Sequence, residues 1–387
     1  MSAVVVFIIF AICLVIAIPI SISLGIVAVL PGAFDASFTA SAGYVIRSMV
    51  GGIDSFPLLA VPMFVLAGIL MAHGKISEKL FDVFVYFLGN KRAGIPCAVI
   101  ITCLFYGAIS GSAPATVAAV GSMTIPLLIE LGYEKDFSTA IVAVAGGLGV
   151  IIPPSIPFIM YAMATGESVS DLFLAGIVPG MMISALLIFY AYYYCRRHGE
   201  DREKIQAKMD QLKTKGFVNI LKESIWALLS PVIVLGCIYS GVASPTEAAV
   251  ISVFYSLFVS LFIYRSIKVK QIWGIMVEAM KTYAPILFIL ATSTAFSRVL
   301  TLMQVPQDVS AWIMTHFSNE IVLLIVINVV LLIVGMVMDT TPAILILSPI
   351  LLPIVEHVGM NPIHFGVMMI VNLAVGFVTP CLLYTSD

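Results

Sequence analysis

The sequence predicts an all-α polytopic membrane protein, built as an inverted repeat with two re-entrant helical hairpins and broken transmembrane helices. Three observations predict this fold. Of the 387 residues, 61% are hydrophobic and only 10% are charged. Apolar runs of about 20 residues recur, and this is the length that a helix needs to cross a bilayer. Glycines and prolines interrupt these runs, and several of them recur at one constant offset along the chain.

Eleven apolar segments carry the predicted helices. Two are too long for one span, and "SGSAPAT" and "MDTTPA" interrupt them. Helix-breaking polar residues inside an apolar run are typical of a re-entrant hairpin, which returns to the side that it entered. We interpret the first segment as a retained span and not as a signal peptide. The segments are 3–30, 53–73, 77–95, 96–131 (long), 137–164, 171–195, 219–242, 246–264, 272–302, 320–354 (long) and 361–380.

Charge and cysteine content narrow the functional classes. The formal net charge of −2 gives no indication of nucleic-acid binding, whereas the apolar runs require a lipid bilayer. Four cysteines, Cys13, Cys97, Cys103 and Cys237, lie inside apolar segments. We therefore interpret them as small buried apolar residues and not as a disulfide framework.

Basic residues predict the orientation of the chain. With the N-terminus outside, all but three of the 19 Lys and Arg lie on or beside the inner connections. The exceptions are Lys75, Lys79 and Arg298. The segment 196–218 is therefore predicted to be a cytoplasmic basic linker. The predicted inner connections are 31–52, 91–95, 132–136, 196–222 and 265–271.

An internal repeat divides the chain into two halves. A single offset places four helix-punctuating residues of one half on identical residues of the other. Counting the crossings gives the two copies opposite orientation, and inverted repeats with discontinuous helices are typical of secondary transporters. The pairs are Pro126 with Pro353, Gly132 with Gly359, Gly149 with Gly376, and Pro153 with Pro380. The first repeat is 1–195, with hairpin 96–131 and broken span 137–164; the second is 219–380, with hairpin 320–354 and broken span 361–380.

The first broken stretch has the chemistry of an ion site. The hairpin tip carries the hydroxyls of Ser110, Ser112 and Thr116, and Gly111 permits an unusual backbone conformation. Carbonyl groups freed at a helix end can coordinate a hard cation such as Na⁺, and the free N–H groups of the next helix favour an anion. The matching break lies in "GGLGVIIPPSIPF", from Gly146 to Phe158.

The second half offers a similar pair of breaks, "GMVMDTTPA" and "GFVTP". Asp339 is the only acidic residue in these four elements. The alternative interpretation is that the glycines and prolines only kink packed helices. Four matched breaks in a repeat favour the functional interpretation.

Two charged residues need separate interpretation. Glu247 lies in "SPTEAA", where Ser244 and Glu247 fit a capping box, so we expect a capping role. Arg298 lies in an apolar segment, which makes it a functional candidate, although its position near the outer end also fits an interfacial anchor.

Five stretches together resemble the large membrane subunit of tripartite ATP-independent periplasmic (TRAP) transporters. They are "SGSAPATVAAVGSMTIPLL", "PPSIPFIMYAMATGESVSDLFLAGIVPG", "SGVASPTEAAV", "MDTTPAILILSPILLPI" and "FGVMMIVNLAVGFVTP". The resemblance implies an elevator-type Na⁺ symporter for organic acids in the bacterial inner membrane, with no enzymatic activity and no cofactor besides the coupling ion. It also implies two partners, a periplasmic substrate-binding protein and a small four-helix membrane subunit.

The resemblance also implies site residues. The first Na⁺ site falls on Ser110, Gly111 and Ser112 with Gly149 and Pro153, and the second on Gly335, Asp339 and Thr340 with Gly376 and Thr379. Substrate is expected against Ser112, Ala113, Pro154 and Thr341, with Arg298 as a further candidate.

The C-terminus departs from the family pattern. After "GFVTP" the family continues with a second proline and one more span, whereas this sequence reads "CLLYTSD". These residues are also the translation of a sequence that resembles a transposase sequencing adapter. We therefore expect 381–387 to be a non-native tail and the chain to be C-terminally truncated.

Other functional classes fit less well. A stand-alone Na⁺/dicarboxylate symporter or ion antiporter of related fold would share the hairpins but need neither partner. An intramembrane protease is disfavoured, because "AISGS" is not accompanied by a usable histidine and H-E-x-x-H does not occur. A purely structural scaffold leaves the two matched hairpins unexplained.

Overall fold

A computed structural model describes residues 3–34, 38–214, 216–316 and 319–379. Within these ranges every regular element is a helix. The predicted tail 381–387, and Pro380, lie outside the described residues.

The helices of the first sequence half are α1 (Ala3–Val15), α2 (Ile20–Phe34), α3 (Ala42–Ile53), α4 (Ala60–His73), α5 (Ile76–Leu88), α6 (Gly94–Ser110), α7 (Ala113–Glu130), α8 (Lys135–Gly146), α9 (Leu148–Ile151), α10 (Ile156–Thr165) and α11 (Val169–His198). Those of the linker and second half are α12 (Arg202–Thr214), α13 (Phe217–Tyr239), α14 (Pro245–Phe258), α15 (Val269–Leu302), α16 (Val305–His316), α17 (Glu320–Val337), α18 (Thr340–His357) and α19 (Pro362–Phe377).

The helices have the length and apolarity of membrane spans. Eight helical stretches of the described residues can cross a membrane by length and composition, or nine if α3 and α4 count as one bent span. The chain is therefore a multi-pass membrane protein, as its hydropathy predicts.

The chain forms two compact units. Unit 1 consists of Met1–Leu59, Pro157–Ser168 and Lys281–Asp387, and unit 2 of Ala60–Ile156 and Val169–Met280. Each unit thus combines segments from both sequence halves. In unit 2, α6 is almost completely buried, and its Val99, Cys103, Tyr106 and Ile109 belong to a large hydrophobic core.

Helix boundaries follow the sequence repeat. Shifting α7 by the offset that places Pro126 on Pro353 gives the bounds of α18, and shifting the start of α8 gives the start of α19. The helix break at Gly111 and Ser112 likewise falls on the break at Met338 and Asp339. The periodicity of glycine and proline therefore corresponds to a periodicity of helix ends.

The segment 3–30 does not form the single span that hydropathy predicts. The chain breaks between α1 and α2, where Ala17 has a φ of 62° and Pro19 follows. The two helices pack against one another. Phe7 of α1 and Gly25 of α2 both lie against one short stretch of α15, at Phe296 and Thr292. These contacts fit a helical hairpin, because a straight span would place the two residues far apart along α15.

The prediction that 77–95 crosses the membrane is also wrong. α5 has only 13 residues, about 20 Å of helix, and it carries three charges, Glu78, Lys79 and Asp82. Lys79 forms an ion pair with Glu223 of α13, while Gly89 at the other end lies against Met209 of α12. Both ends of α5 therefore contact the region around the linker. An amphipathic helix with such contacts lies along one side of unit 2.

The turn between α4 and α5 supports this correction. The hydroxyl of Ser266, in the connection after α14, donates to the carbonyl oxygen of Gly74 at 3.0 Å. Nε2 of His73 lies 2.9 Å from Oε2 of Glu278 on α15. The turn therefore lies beside 265–278, a region that begins with a predicted cytoplasmic connection.

The linker after α11 is anchored at a buried carboxylate. The Glu200 side chain is only 2% exposed and pairs with the Arg202 guanidinium at 2.9 Å. Its Oε1 accepts hydrogen bonds from the Tyr133 hydroxyl at 2.8 Å and from the Ala93 amide at 3.0 Å. Burial and the neighbouring carboxylate raise the pKa of Tyr133, so its hydroxyl stays a donor. The linker thus joins the turns on both sides of the first hairpin.

Candidate functional site

The first candidate site lies in unit 2, at the tip of the hairpin formed by α6 and α7. α6 ends at Ser110, Gly111 adopts the left-handed conformation with a φ of 62°, and Ser112 is extended before α7 begins. Glycine adopts the left-handed conformation without the steric cost of a Cβ atom, so Gly111 between two serines favours a helix end here.

Three oxygens come together inside this tip. Oγ of Ser110 lies 2.9 Å from Oγ1 of Thr116, and the Thr116 hydroxyl donates to the carbonyl oxygen of Ser112 at 2.8 Å. Ser110 and Thr116 are buried. Because all three atoms are uncharged oxygens, they form a set of ligands suited to a hard monovalent cation.

The broken span lies directly against this tip. The chain is non-helical from 152 to 155, between α9 and α10, and the Ile156 amide donates to the carbonyl oxygen of Gly111 at 3.2 Å. The Ser155 hydroxyl, which is buried, donates to the carbonyl oxygen of Val150 at 2.6 Å. The structure thus brings together the two elements predicted for the first Na⁺ site.

Gly149 allows this close approach. A Cβ atom built on Gly149 would lie 2.5 Å from Oγ1 of Thr116 and 2.8 Å from the carbonyl oxygen of Ser112. A Cβ on Gly107 would lie 2.7 Å from the Cα of Gly149. A side chain at Gly149 would therefore displace these oxygens, and one at Gly107 would displace the backbone of Gly149. Gly149 was predicted from the sequence but Gly107 was not, because its only local signal is its position one turn before the tip.

The second candidate site lies in unit 1, between α17 and α18. Met338 and Asp339 are extended, and Asp339 caps α18: its Oδ1 accepts from the Thr340 amide at 2.7 Å and lies 3.3 Å from Oγ1 of Thr340. Thr340 and Thr341 are buried. A carboxylate here stabilises the positive end of the helix.

The end of α19 meets the end of α17 through two glycines. A Cβ on Gly376 would lie 2.8 Å from the Cα of Gly335 and 2.7 Å from the carbonyl oxygen of Leu332. The Thr379 hydroxyl donates to the carbonyl oxygen of Gly376 at 2.5 Å. These contacts join Gly335 and Thr379 to Gly376, and a separate set of contacts joins Asp339 to Thr340.

Contacts along the helices give their relative directions. From Gly107 to Gly111, α6 meets residues of increasing number, Gly149 and then Ile156. α17 and α19 likewise run in the same direction. In the first repeat α6 is therefore parallel to the segment from α9 to α10, and in the second repeat α17 is parallel to α19.

The predicted substrate residues fall in both units. Ser112, Ala113 and Pro154 are in unit 2, and the carbonyl oxygen of Pro154 lies 3.0 Å from the Cβ position of Gly111. Thr341 and Arg298 are in unit 1. The Arg298 guanidinium approaches the last turn of α3, with Nη1 3.7 Å from the Cβ position of Gly51. A cation at a helix C-terminus is favourable by itself.

Two further features bear on function. Among residues 3–34, 38–214, 216–316 and 319–379, no three His, Cys, Asp or Glu side chains form a group that could hold a metal ion. The capping box predicted at α14 is confirmed, because the Ser244 amide donates to Oε2 of Glu247 at 2.7 Å and the Glu247 amide donates to the Ser244 hydroxyl at 3.3 Å.

Interrupted helices at matched positions of a membrane fold are typical of membrane transport proteins. The family model of the tripartite ATP-independent periplasmic transporter DctM component matches residues 7–384. The chain belongs to this family of transporter permeases, as the resemblance of its motifs implies.

Curated relatives and a solved structure are consistent with this family. The isethionate TRAP transporter permease protein DctMQ of Oleidesulfovibrio alaskensis is 43% identical over 96% of this chain and 57% of that protein. The C4-dicarboxylate TRAP transporter large permease protein DctM of Pseudomonas aeruginosa is 39% identical over 84% of this chain and 75% of that protein. The chain thus spans little more than half the length of the first relative.

The crystal structure of the YdaH transporter of Alcanivorax borkumensis is similar in fold. It superposes with a TM-score of 0.61 at 13% identity and covers 94% of this chain and 87% of that chain. At this identity the similarity concerns the fold alone.

Proposed function

We propose that the chain is the large membrane subunit of a Na⁺-coupled symporter that imports an organic acid. A periplasmic binding protein delivers the substrate, and a small four-helix membrane subunit is the second partner. The observation that carries the proposal is the cluster of Ser110 Oγ, Thr116 Oγ1 and the Ser112 carbonyl oxygen against Gly149.

The type of oxygen at this cluster supports Na⁺ as the coupling ion. Hydroxyl and carbonyl oxygens are hard ligands, and an uncharged set binds a monovalent ion without trapping it as a carboxylate cluster would trap a divalent one. Broken helices near the bilayer midplane are where secondary transporters bind their coupling ions. Gly111 and Pro153 complete the proposed first site.

The second proposed Na⁺ site differs in charge. It uses Gly335, Asp339, Thr340, Gly376 and Thr379, and Asp339 supplies a carboxylate at the position that Ser112 occupies in the first repeat. The Asp339 carboxylate already caps α18. Its negative charge would therefore interact with both the N-terminus of α18 and a bound cation.

The two hairpin tips differ in how they would receive an anion. The Ser112 side chain makes no capping hydrogen bond to α7, whereas Asp339 caps α18. An anionic carboxylate is therefore favoured at Ser112, Ala113 and Pro154 and opposed by Asp339. Thr341 and Arg298 are also proposed to contact the substrate, and this part of the proposal is based on the family resemblance.

The names of the relatives support an organic acid as the substrate class. Isethionate and C4-dicarboxylates are both small organic anions. They differ in acid group and length, so a charge-based site at a helix end suits both. An elevator-type movement and a location in the bacterial inner membrane complete the proposal.

The proposed orientation places the linker in the cytoplasm and the N-terminus in the periplasm. The two corrections to the predicted spans cancel in this count, because the hairpin of α1 and α2 returns the chain to the side on which it starts and α5 does not cross. Lys75 and Lys79 then join the cytoplasmic residues, which improves the agreement with the positive-inside rule. Arg47 and Arg298 then lie on the periplasmic side.

Uptake by reconstituted protein tests the proposed function. The full-length subunit is placed in proteoliposomes with its membrane partner and binding protein, and radiolabelled succinate and isethionate are offered as probes. An inward Na⁺ gradient without ATP is expected to drive accumulation of one of them, and a choline gradient is not. Equal uptake under both gradients would refute Na⁺ coupling.

A further inference from the structure

A pair of amide side chains joins α17 to α19 in unit 1. Nδ2 of Asn372 donates to Oδ1 of Asn328 at 2.7 Å and to the carbonyl oxygen of Met368 at 2.8 Å. Nδ2 of Asn328 donates to the carbonyl oxygen of Leu324 at 2.7 Å and lies 3.6 Å from the Met368 sulfur. Both amides are thus fixed by bonds to their own helix and to one another.

The amide pair and the glycine contact lie along the same helix seam. Asn328 precedes Gly335 by two helical turns on α17, and Asn372 precedes Gly376 by one turn on α19. Residues at these spacings share a face of a helix. A hydrogen bond at one end of the seam therefore limits both rotation and sliding at the glycine end, where the helices are in backbone contact.

The first repeat has no such pair. The offset that places Gly149 on Gly376 makes Ile101 and Ala145 the counterparts of Asn328 and Asn372. Conversely, two of the three hydroxyl-bearing residues of the first tip have apolar counterparts in the second, and the third, Ser112, corresponds to Asp339. Ser110 corresponds to Val337, and Thr116 corresponds to Ala343. Val337 and Ala343 therefore cannot form a counterpart of the hydrogen bond between Ser110 and Thr116.

We propose that the Asn328–Asn372 amide pair is the positioning element of the second Na⁺ site. It holds α17 in register with α19, so that the carbonyl oxygens around Gly335 and Gly376 keep the spacing that a cation needs. The inference rests on the proposed function, because it assigns these residues a role in the same transport reaction.

Substitutions that keep the helices apolar test this role. Asn372→Leu removes both bonds of the Asn372 amide, and Met368→Leu is the matched control, since it changes the same seam without removing an amide. Interhelical hydrogen bonds in membranes contribute about 0.6–2 kcal/mol, so we expect the Na⁺ concentration for half-maximal uptake to rise about 3- to 30-fold in Asn372→Leu. The maximal rate at saturating Na⁺ is expected to stay within about twofold.

A double-mutant cycle and a binding measurement separate positioning from simple stability. Adding Asn328→Leu to Asn372→Leu is expected to have little further effect, because the two amides act as one unit. The midpoint of Na⁺-dependent thermal stabilisation of purified protein is expected to shift with the uptake midpoint. An Asn372→Leu protein that melts earlier in choline but keeps its Na⁺ midpoint would show a merely structural role and overturn the inference.

The controls distinguish this inference from the proposed function. Wild-type uptake that ignores Na⁺ would refute the proposed function and the inference with it. Wild-type uptake that depends on Na⁺, with equal effects of Met368→Leu and Asn372→Leu, would refute only the inference. Retained Na⁺ affinity in Asn372→Gln, which keeps an amide at this position, would support it.

Discussion

Gly107 and Gly149 lie backbone to backbone, since a Cβ on Gly107 would be 2.7 Å from the Cα of Gly149. Gly335 and Gly376 repeat this relationship in the second repeat, where a Cβ on Gly376 would be 2.8 Å from the Cα of Gly335. The first pair brings the end of α6 against α9, and the second brings the end of α17 against the end of α19. At both places the two helix backbones are as close as the missing glycine side chains allow.

A methyl group at either contact is expected to disturb the proposed sites. Gly149→Ala and Gly376→Ala should destabilise the protein by about 1–3 kcal/mol through overpacking, and each should weaken Na⁺ binding. Thermal unfolding in detergent, with and without Na⁺, measures both effects. Gly236→Ala is the control, because its Cβ position meets no side chain and no neighbouring helix within 4 Å. Unchanged Na⁺-dependent stabilisation in Gly149→Ala would argue against the contact's role.

Two threonines on α7 offer a matched comparison. Thr116 and Thr124 are both buried, and each donates to the carbonyl oxygen four residues earlier at 2.8 Å, but only Thr116 lies against Ser110 and Gly149. Thr116→Val should raise the Na⁺ concentration for half-maximal uptake about tenfold or more, as expected for loss of one ligand to a charge. Thr124→Val should change it by less than about twofold. Equal shifts would mean that Thr116 only stabilises the helix.

Two carboxylates that cap helices offer a second comparison. Asp339→Asn should weaken apparent Na⁺ affinity, measured at saturating substrate, more than Glu247→Gln does. The reason is that a carboxylate beside a cation in a low-dielectric site interacts strongly, whereas Glu247 is occupied by its capping box. A larger effect at Glu247 would reverse these assignments.

The broken positions could be predicted from sequence because their chemistry is local. Ser110-Gly111-Ser112 and Asp339 fix a helix end and a helix start whatever surrounds them. The contacts of Gly107 and Asn328 could not be predicted from sequence. Their partners, Gly149 and Asn372, lie far away along the chain and come close only in the folded protein. The sequence also does not show which oxygens converge.

Hydropathy predicted the wrong spans where the length of an apolar run does not determine whether a single helix crosses the membrane. The run 3–30 reads as one span, yet Pro19 and the left-handed Ala17 divide it. α5 is apolar on one face only, which a window average does not distinguish from a span. α3 and α16 were not predicted, because both are short and contain polar and charged residues.

The corrected orientation makes a prediction about sidedness. In a background without native cysteines, Lys75→Cys and Lys268→Cys should react with an impermeant thiol reagent from the same side, the cytoplasm. Cysteines at Gly132 and Gly359 should label from the cytoplasm and the periplasm respectively, because an odd number of crossings separates the hairpins. Labelling of Lys75→Cys from the periplasm would restore α5 as a span, and labelling of both glycine positions from one side would refute the inverted repeat.

Equilibrium binding of ²²Na⁺ to the purified full-length protein tests the central claim most directly, because it needs neither substrate nor partners. The wild type should bind Na⁺ saturably, unaffected by an equal concentration of K⁺. Thr116→Val and Asp339→Asn should each weaken part of this binding, and the double variant should abolish it. A double variant that binds ²²Na⁺ as well as the wild type would contradict the assignment of a cation site to each broken hairpin.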